Sequence, residues 1–133
     1  MILDASVVVA ALVDDGPDGR WAEGLLAVGD SAAPHILPAE VANVLRRAEQ
    51  RGDISGDLAT IAMEDLAAIA IELVEFAPFA ARVWDLRPNL TSYDAWYVAV
   101  AETLGEPLAT LDRRLAAVPG VRCELVTPER PGT

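Results

Sequence analysis

Four acidic residues occupy places in the sequence where a strand ends or a helix begins. Asp4 directly follows an apolar strand at the start of the chain, and Asp112 follows the strand predicted for residues 107–111. Glu40 and Asp94 each lie in the first turn of a predicted helix. Because the crossovers of a parallel sheet bring such points to one edge, the carboxyl ends of the strands, we expect the four carboxylates to meet at one site.

Crowded carboxylates repel one another and raise one another's pKa values unless a cation neutralises them. Oxygen ligands without His or Cys favour a hard ion, Mg²⁺ or Mn²⁺. The chain has no Lys, one His and one Cys, which excludes a catalytic pair of histidines and a structural zinc site within one chain. It has neither a Walker A sequence nor the G-x-S-x-G pattern of serine hydrolases. The remaining chemistry, a metal ion with carboxylates, suits phosphodiester hydrolysis.

The same acids have a structural alternative. Asp and Glu favour helix N-termini because their side chains accept hydrogen bonds from free N–H groups and complement the helix dipole. Residues 91–94, with the sequence TSYD, resemble a capping box. Capping alone would require no catalytic function of these residues.

Short apolar segments alternate with helical ones along the chain, and this alternation positions the acids. The predicted extended segments are residues 1–4, 32–37, 71–76, 107–111 and 121–126. The predicted helices are residues 5–13, 20–28, 38–51, 54–70, 79–86 and 93–104, with a turn at 14–19 and a helical turn at 112–117. The alternation predicts βαβ units and a parallel sheet covered on both faces. We expect one small α/β domain over residues 1–127 and a short C-terminal tail, residues 128–133.

Composition narrows the class of protein. The 133 residues carry a formal net charge of −11, which disfavours loose binding to nucleic acid because such binding needs Lys and Arg. The longest apolar runs are shorter than the roughly 18 residues that a membrane span requires. No basic segment precedes an apolar one as in a signal peptide. We therefore expect a soluble cytoplasmic protein without a membrane partner.

Four motifs, in this order, resemble those of PIN-domain proteins. They are residues 1–6 (MILDAS), 38–45 (PAEVANVL), 91–102 (TSYDAWYVAVAE) and 108–115 (LATLDRRL). Together they cover nearly the whole chain, and the compact size resembles the VapC toxins of bacterial toxin–antitoxin pairs. The resemblance implies a three-layer α/β/α sandwich with a short, mainly parallel central sheet.

The resemblance also implies a metal-dependent endoribonuclease. By motif, Asp4, Glu40, Asp94 and Asp112 would be the catalytic acids that bind Mg²⁺, with Mn²⁺ as a substitute. The expected substrate is transfer RNA or ribosomal RNA, cut to leave a 5′-phosphate and a 3′-hydroxyl.

Five further residues are candidates around these acids. Ser6 and Thr110 would be hydroxyls that orient a carboxylate or bind metal-bound water, and Asn43 would be a supporting amide one turn after Glu40. Arg113 and Arg114 are nominated as RNA-phosphate contacts, with solvated surface charge as the alternative.

The implied partners are a cognate VapB-type antitoxin and a second copy of the chain in a homodimer. An acidic toxin suits a basic antitoxin segment, with an Arg reaching the carboxylates. The alternative function is a non-catalytic PIN-like protein-binding module whose acids cap helices or meet an Arg-bearing partner. Arg46, Arg47 and Arg51 share one predicted helix without an assigned role. His35 is expected to be structural or exposed, and Cys123 a small buried hydrophobe.

Overall fold

The computed structural model describes residues 1–130, and its five strands form one parallel sheet in the order β3-β2-β1-β4-β5. The strands are β1 Ile2–Leu3, β2 Ser31–Pro34, β3 Ile71–Val74, β4 Leu108–Ala109 and β5 Leu125–Val126. The helices are α1 Ala5–Val13, α2 Pro17–Val28, α3 Leu37–Gln50, α4 Gly56–Ala68, α5 Ala80–Asp85 and α6 Ser92–Leu104. Two 3₁₀ helices cover Ala77–Phe79 and Arg113–Ala117.

The strand order explains the layers. From β1 the chain adds β2 and β3 on one side and later returns to add β4 and β5 on the other. Right-handed crossovers then place α1 to α4 on one face of the sheet and α5 and α6 on the opposite face. In agreement, helices α1 to α4 contact one another, whereas α6 contacts α5, β1, β2 and β4. The predicted three-layer α/β/α sandwich is confirmed.

The core lies around β1, the central strand, and its neighbour β4. Ile2, Leu3, Leu108 and Ala109 are completely buried because helices cover both faces of the sheet. Helix α6 is buried from Tyr97 to Ala101 and therefore has no narrow apolar stripe. Register aligns the strand ends, since Ile2 pairs with both Ala32 on β2 and Leu108 on β4. The carboxyl ends of β1 and β4 consequently lie at the same edge of the sheet.

Several predicted boundaries were wrong. Helix α2 begins at Pro17, inside the segment predicted as a turn, because Pro is favoured in the first turn and Asp18 complements the helix dipole there. Strand β2 ends at Pro34 and helix α3 already begins at Leu37. Strands β4 and β5 have two residues each, since only those residues pair in the ladder. An apolar run thus overstates strand length.

The predicted tail, residues 128–133, is described only as far as residue 130. Within the described part, Pro128 is buried. Within residues 1–130, no helix has both the length and the hydropathy needed to cross a bilayer.

Candidate active site

The carboxylate of Asp4 is held at both oxygens. Asp4 follows β1 and caps α1, where its Oδ1 accepts a hydrogen bond from the Val7 backbone N–H at 3.3 Å. The Ser6 hydroxyl donates to the same oxygen, and the Thr110 hydroxyl donates to Oδ2. Both hydroxyls nominated from the sequence therefore contact Asp4.

These two hydroxyls also tie Asp4 to the end of β4. Ser6 Oγ accepts a hydrogen bond from the Leu111 backbone N–H at 3.1 Å, and Thr110 Oγ1 accepts one from the Asp112 N–H at 2.9 Å. Thr110 is completely buried, so its hydroxyl needs these partners. The network fixes the distance between the first and fourth acidic motifs, although more than a hundred residues separate Thr110 from Asp4.

Glu40 is held by a tyrosine from the opposite helical layer. It lies in the first turn of α3, and its Oε1 accepts a hydrogen bond from the Tyr97 hydroxyl at 2.8 Å. Tyr97 belongs to α6 and is buried. The bond therefore joins the two layers at the carboxyl edge of the sheet.

The other two acids differ in their partners. Asp94 lies in the first turn of α6, whose N-cap is Thr91; the Thr91 hydroxyl accepts a hydrogen bond from the Asp94 backbone N–H at 3.2 Å. Asp112 forms a two-pronged ion pair with Arg114, at 2.9 Å from Nε to Oδ1 and 3.0 Å from Nη2 to Oδ2. It also accepts a hydrogen bond from the Arg114 backbone N–H.

All four acids line one cavity of about 380 Å³. Ser6 and Tyr97 also line it, together with Val44 and Arg47 of helix α3. The structure thus brings the four sequence-nominated carboxylates to one place.

Burial raises the pKa of three of these carboxyl groups, and neighbouring carboxylates add to the rise at two of them. Burial raises the pKa of Asp4, and its hydroxyl and backbone donors offset only part of the rise. Burial also raises the pKa of Glu40, where the charges of Asp94 and Asp4 add to it against the Tyr97 hydrogen bond. For Asp94, desolvation and then the charge of Asp112 raise the pKa. The ion pair with Arg114 instead lowers the pKa of Asp112.

Helix capping accounts for only part of this arrangement. Asp4 and Asp112 do accept backbone N–H groups at the starts of helical segments. Glu40 is bound by a phenol, and the cap of α6 is Thr91 rather than Asp94. Glu40 and Asp94 lie in the first turns of α3 and α6, where they complement the helix dipole without capping the helix.

The donor chemistry of the cavity fits a hard divalent cation. Its four acids offer only carboxylate oxygens. Burial raises the pKa of Asp4, Glu40 and Asp94, neighbouring acids add to the rise at Glu40 and Asp94, and a bound cation would favour the charged form of all three. Within residues 1–130, however, no three Asp, Glu, His or Cys side chains converge into a ready-made ligand group. Two of the acids, Glu40 and Asp112, are engaged with Tyr97 and Arg114.

The remaining nominated residues, Asn43, Arg113 and Arg114, each have a partner other than Glu40 or a free phosphate site. Asn43 is exposed, and its Oδ1 accepts hydrogen bonds from Arg46 at 3.0 and 3.2 Å instead of supporting Glu40. Arg113 is half-buried and donates to Thr127 Oγ1 at 3.0 Å and to the Pro128 carbonyl. Arg113 therefore binds the C-terminal segment, and Arg114 is already paired.

Two polar residues of the cavity, Tyr97 and Arg47, were not nominated from the sequence. Tyr97 follows Asp94 by three residues and Arg47 follows Glu40 by seven, spacings that share one helical face and could have indicated both. His35, which was expected to be structural or exposed, is exposed. Cys123 is only half-buried and lines a different cavity, because β5 begins after it and leaves it in a loop.

Known proteins resemble this chain over nearly its whole length. Residues 1–121 match the model of the PIN domain. Ribonuclease VapC1 of Mycobacterium tuberculosis is 42% identical over 125 residues, covering 93% of this chain and 94% of that protein. Ribonuclease VapC9 of the same organism is 33% identical over 130 residues, covering 98% of this chain and 99% of that protein.

Among solved structures, the VapBC2 complex from Rickettsia felis, bound to a fragment of promoter DNA, superposes with a TM-score of 0.69. The identity is 14%, and the match covers 96% of this chain and 98% of that chain, so it bears on the fold alone. The predicted resemblance is confirmed by the domain model and by the curated relatives. The chain belongs to the PIN-domain family, among its VapC ribonucleases.

Proposed function

We propose that this protein is the toxin of a toxin–antitoxin pair and acts as a metal-dependent endoribonuclease. The observation that carries the proposal is the cavity that acids from four separate motifs line. Burial of these acids, with three pKa values raised, costs stability, and a cluster of perturbed carboxyl groups in a cavity is typical of a functional site. The names and identities of the relatives support RNA as the substrate.

The proposed cofactor is Mg²⁺, with Mn²⁺ as a substitute, held by Asp4, Glu40, Asp94 and Asp112. Such an ion, when bound, supplies Lewis-acid activation of water and offsets charge at the phosphate. The protein's part is to keep the carboxylates in place. Ser6 and Thr110 each donate a hydrogen bond to one oxygen of Asp4, and the two bonds fix the orientation of its carboxylate. We expect transfer RNA or ribosomal RNA as substrate and hydrolysis that leaves a 5′-phosphate.

The proposed protein partner is a VapB-type antitoxin. The structural neighbour from Rickettsia felis is a VapBC2 complex, and the chain's net charge of −11 suits a basic partner segment. An Arg from that segment would approach the carboxylates that line the cavity. We also expect a homodimer, which sedimentation of the purified protein measures directly.

The test is cleavage of bulk transfer RNA and ribosomal RNA by purified, antitoxin-free protein, with sequencing of the 5′-phosphate ends. We expect cleavage with Mg²⁺ or Mn²⁺, none with EDTA, and a loss of at least about a hundredfold in Asp4→Asn and Asp94→Asn. The matched control is Glu64→Gln, which removes an exposed acid on α4 away from the cavity. Cleavage that survives EDTA or both cavity substitutions would overturn the metal mechanism. Absence of any cleavage with a folded, metal-loaded protein would favour the non-catalytic binding module.

A further inference from the structure

Arg47 is the basic residue that lines the carboxylate cavity. Glu40, Val44 and Arg47 follow one another on α3 at helical spacing and all lie in the cavity wall. Seven residues at 1.5 Å each place the Arg47 backbone about 10 Å along the helix axis from Glu40. Because side chains tilt toward the helix N-terminus, the Arg47 side chain leans back toward the cavity.

The guanidinium of Arg47 is free, in contrast to those of its neighbours. Within the part of the chain that the structure describes, it forms neither a hydrogen bond nor an ion pair, and its side chain is exposed. Arg46, next to it, is bound to Asn43 and Gln50. Arg113 and Arg114 are bound to the C-terminal segment and to Asp112. Arg47 thus stands at the cavity rim beyond ion-pairing distance of the acids.

We propose that Arg47 binds a phosphate of the RNA next to the one that is cut, an inference that rests on the proposed function. A phosphodiester approaching four carboxylates meets repulsion, which a cation at the rim offsets. The guanidinium offers a planar pair of donors that matches two phosphate oxygens. The distance of Arg47 from Glu40 along the helix places the guanidinium beside the reacting phosphate. The contact therefore contributes the same free energy in the bound RNA and in the transition state.

An off-centre contact has a kinetic signature. Loss of binding that is equal in ground and transition states raises KM and leaves kcat unchanged. The experiment compares Arg47→Gln with Arg46→Gln, which removes the same charge from the neighbouring position. We expect KM for a short labelled single-stranded RNA to rise roughly fivefold in Arg47→Gln, equivalent to the loss of one exposed charged contact. Arg47→Lys should recover part of the loss, because it keeps the charge without the fork.

A binding measurement separates this inference from the proposed activity. Anisotropy of the same labelled RNA is recorded with both Arg variants in an Asp94→Asn background, where the RNA is not cut. Arg47→Gln should weaken binding and make its dependence on log salt less steep by about 0.7, the value for one phosphate contact on a single strand. Arg46→Gln should leave that slope unchanged. Equal affinity and slope in the two variants would overturn the role of Arg47 even if the wild type cleaves RNA. Unequal values with no cleavage by the wild type would overturn the proposed activity and retain the phosphate contact.

Discussion

The hydroxyl of Tyr97 donates a hydrogen bond of 2.8 Å to Glu40 Oε1 across 57 residues of sequence. Burial and the neighbouring carboxylates raise the pKa of Tyr97, so that the phenol keeps its proton and acts as a donor. The bond lowers the pKa of Glu40 against the effect of burial. Tyr97 is thereby a positioning residue for the second acidic motif.

Tyr97→Phe removes this hydrogen bond and keeps the ring that fills the core. We expect roughly a 10- to 100-fold loss of metal affinity or cleavage rate, as for other groups that orient a metal-binding side chain. The pKa of Glu40 should rise further, which shifts the acid limb of the pH–rate profile to higher pH. The matched control is Tyr93→Phe, because Tyr93 is an exposed tyrosine on the same helix. An unchanged profile in Tyr97→Phe would contradict the positioning role.

Thr110→Val removes a hydroxyl at constant shape. The change deprives Asp4 Oδ2 of its donor and leaves the Asp112 backbone N–H without its acceptor. We expect the free energy of unfolding in urea to fall by about 1–3 kcal/mol and cleavage to decrease as well. Thr110→Ser keeps the hydroxyl and should retain most of the cleavage rate, apart from a small loss of packing. Equal cleavage by the Val and Ser variants would show that the hydroxyl does not orient Asp4.

The raised pKa values of Asp4, Glu40 and Asp94 predict how stability depends on pH. In the metal-free protein, the folded state holds these protons more tightly than the unfolded chain does. These groups therefore lower the free energy of unfolding as pH rises from their ordinary pKa values through the folded ones. Metal binding requires the deprotonated carboxylates and should remove this loss.

Thermal unfolding with and without Mg²⁺ or Mn²⁺, measured across the acidic range, tests this dependence. We expect the metal-induced rise in Tm to be largest near neutral pH and to disappear on acidification, at a pH above the ordinary pKa of a carboxyl group. Asp94→Asn should melt higher than the wild type in EDTA, since it relieves repulsion by Asp112, and should show a smaller metal-induced rise. A rise of the same size in Asp94→Asn would exclude Asp94 as a metal ligand.

The ion pair of Arg82 with Glu102 lies outside the lining of the carboxylate cavity and has a structural role. Arg82 Nε lies 2.6 Å from Glu102 Oε1, and both side chains are largely buried. Arg82 also donates to the Gly120 carbonyl at 2.6 Å, and Glu102 Oε2 accepts the Arg122 backbone N–H at 2.8 Å. The pair thus fastens the segment before β5 to α5 and α6.

Glu102→Gln should lower the free energy of unfolding by about 2 kcal/mol, because it leaves the Arg82 charge partly buried without its counter-ion. Although burial opposes it, hydrogen bonding to Arg82 and the Arg122 backbone lowers the pKa of Glu102. Its stabilisation is therefore present above the ordinary pKa of Glu and is lost as pH falls through the folded pKa. Urea unfolding of Glu102→Gln and wild type should converge in strong acid. Glu64→Gln, at an exposed site, is the control that should change little.

Much of the fold follows from local features of the sequence. Apolar periodicity and the residues at helix starts place the elements, and the right-handedness of crossovers then orders them into a parallel sheet. Those rules also bring Asp4, Glu40, Asp94 and Asp112 to one edge, because each lies at a strand exit or a helix entry. The spacing of the four motifs is enough to indicate the family.

Tertiary structure decided the partners of those polar side chains that bind across layers or between distant segments. The sequence nominates Arg113 for a phosphate contact and assigns no role to Arg47, yet Arg113 binds Thr127 and Arg47 remains free at the cavity rim. Likewise, only the packing of α6 against the sheet brings Tyr97 to Glu40. A long side chain can reach several alternative partners. Which of them lies close enough depends on how the layers pack, and no local sequence pattern specifies that distance. The sequence by itself thus determined where the acidic groups gather, and the packed layers determined which other groups hold them.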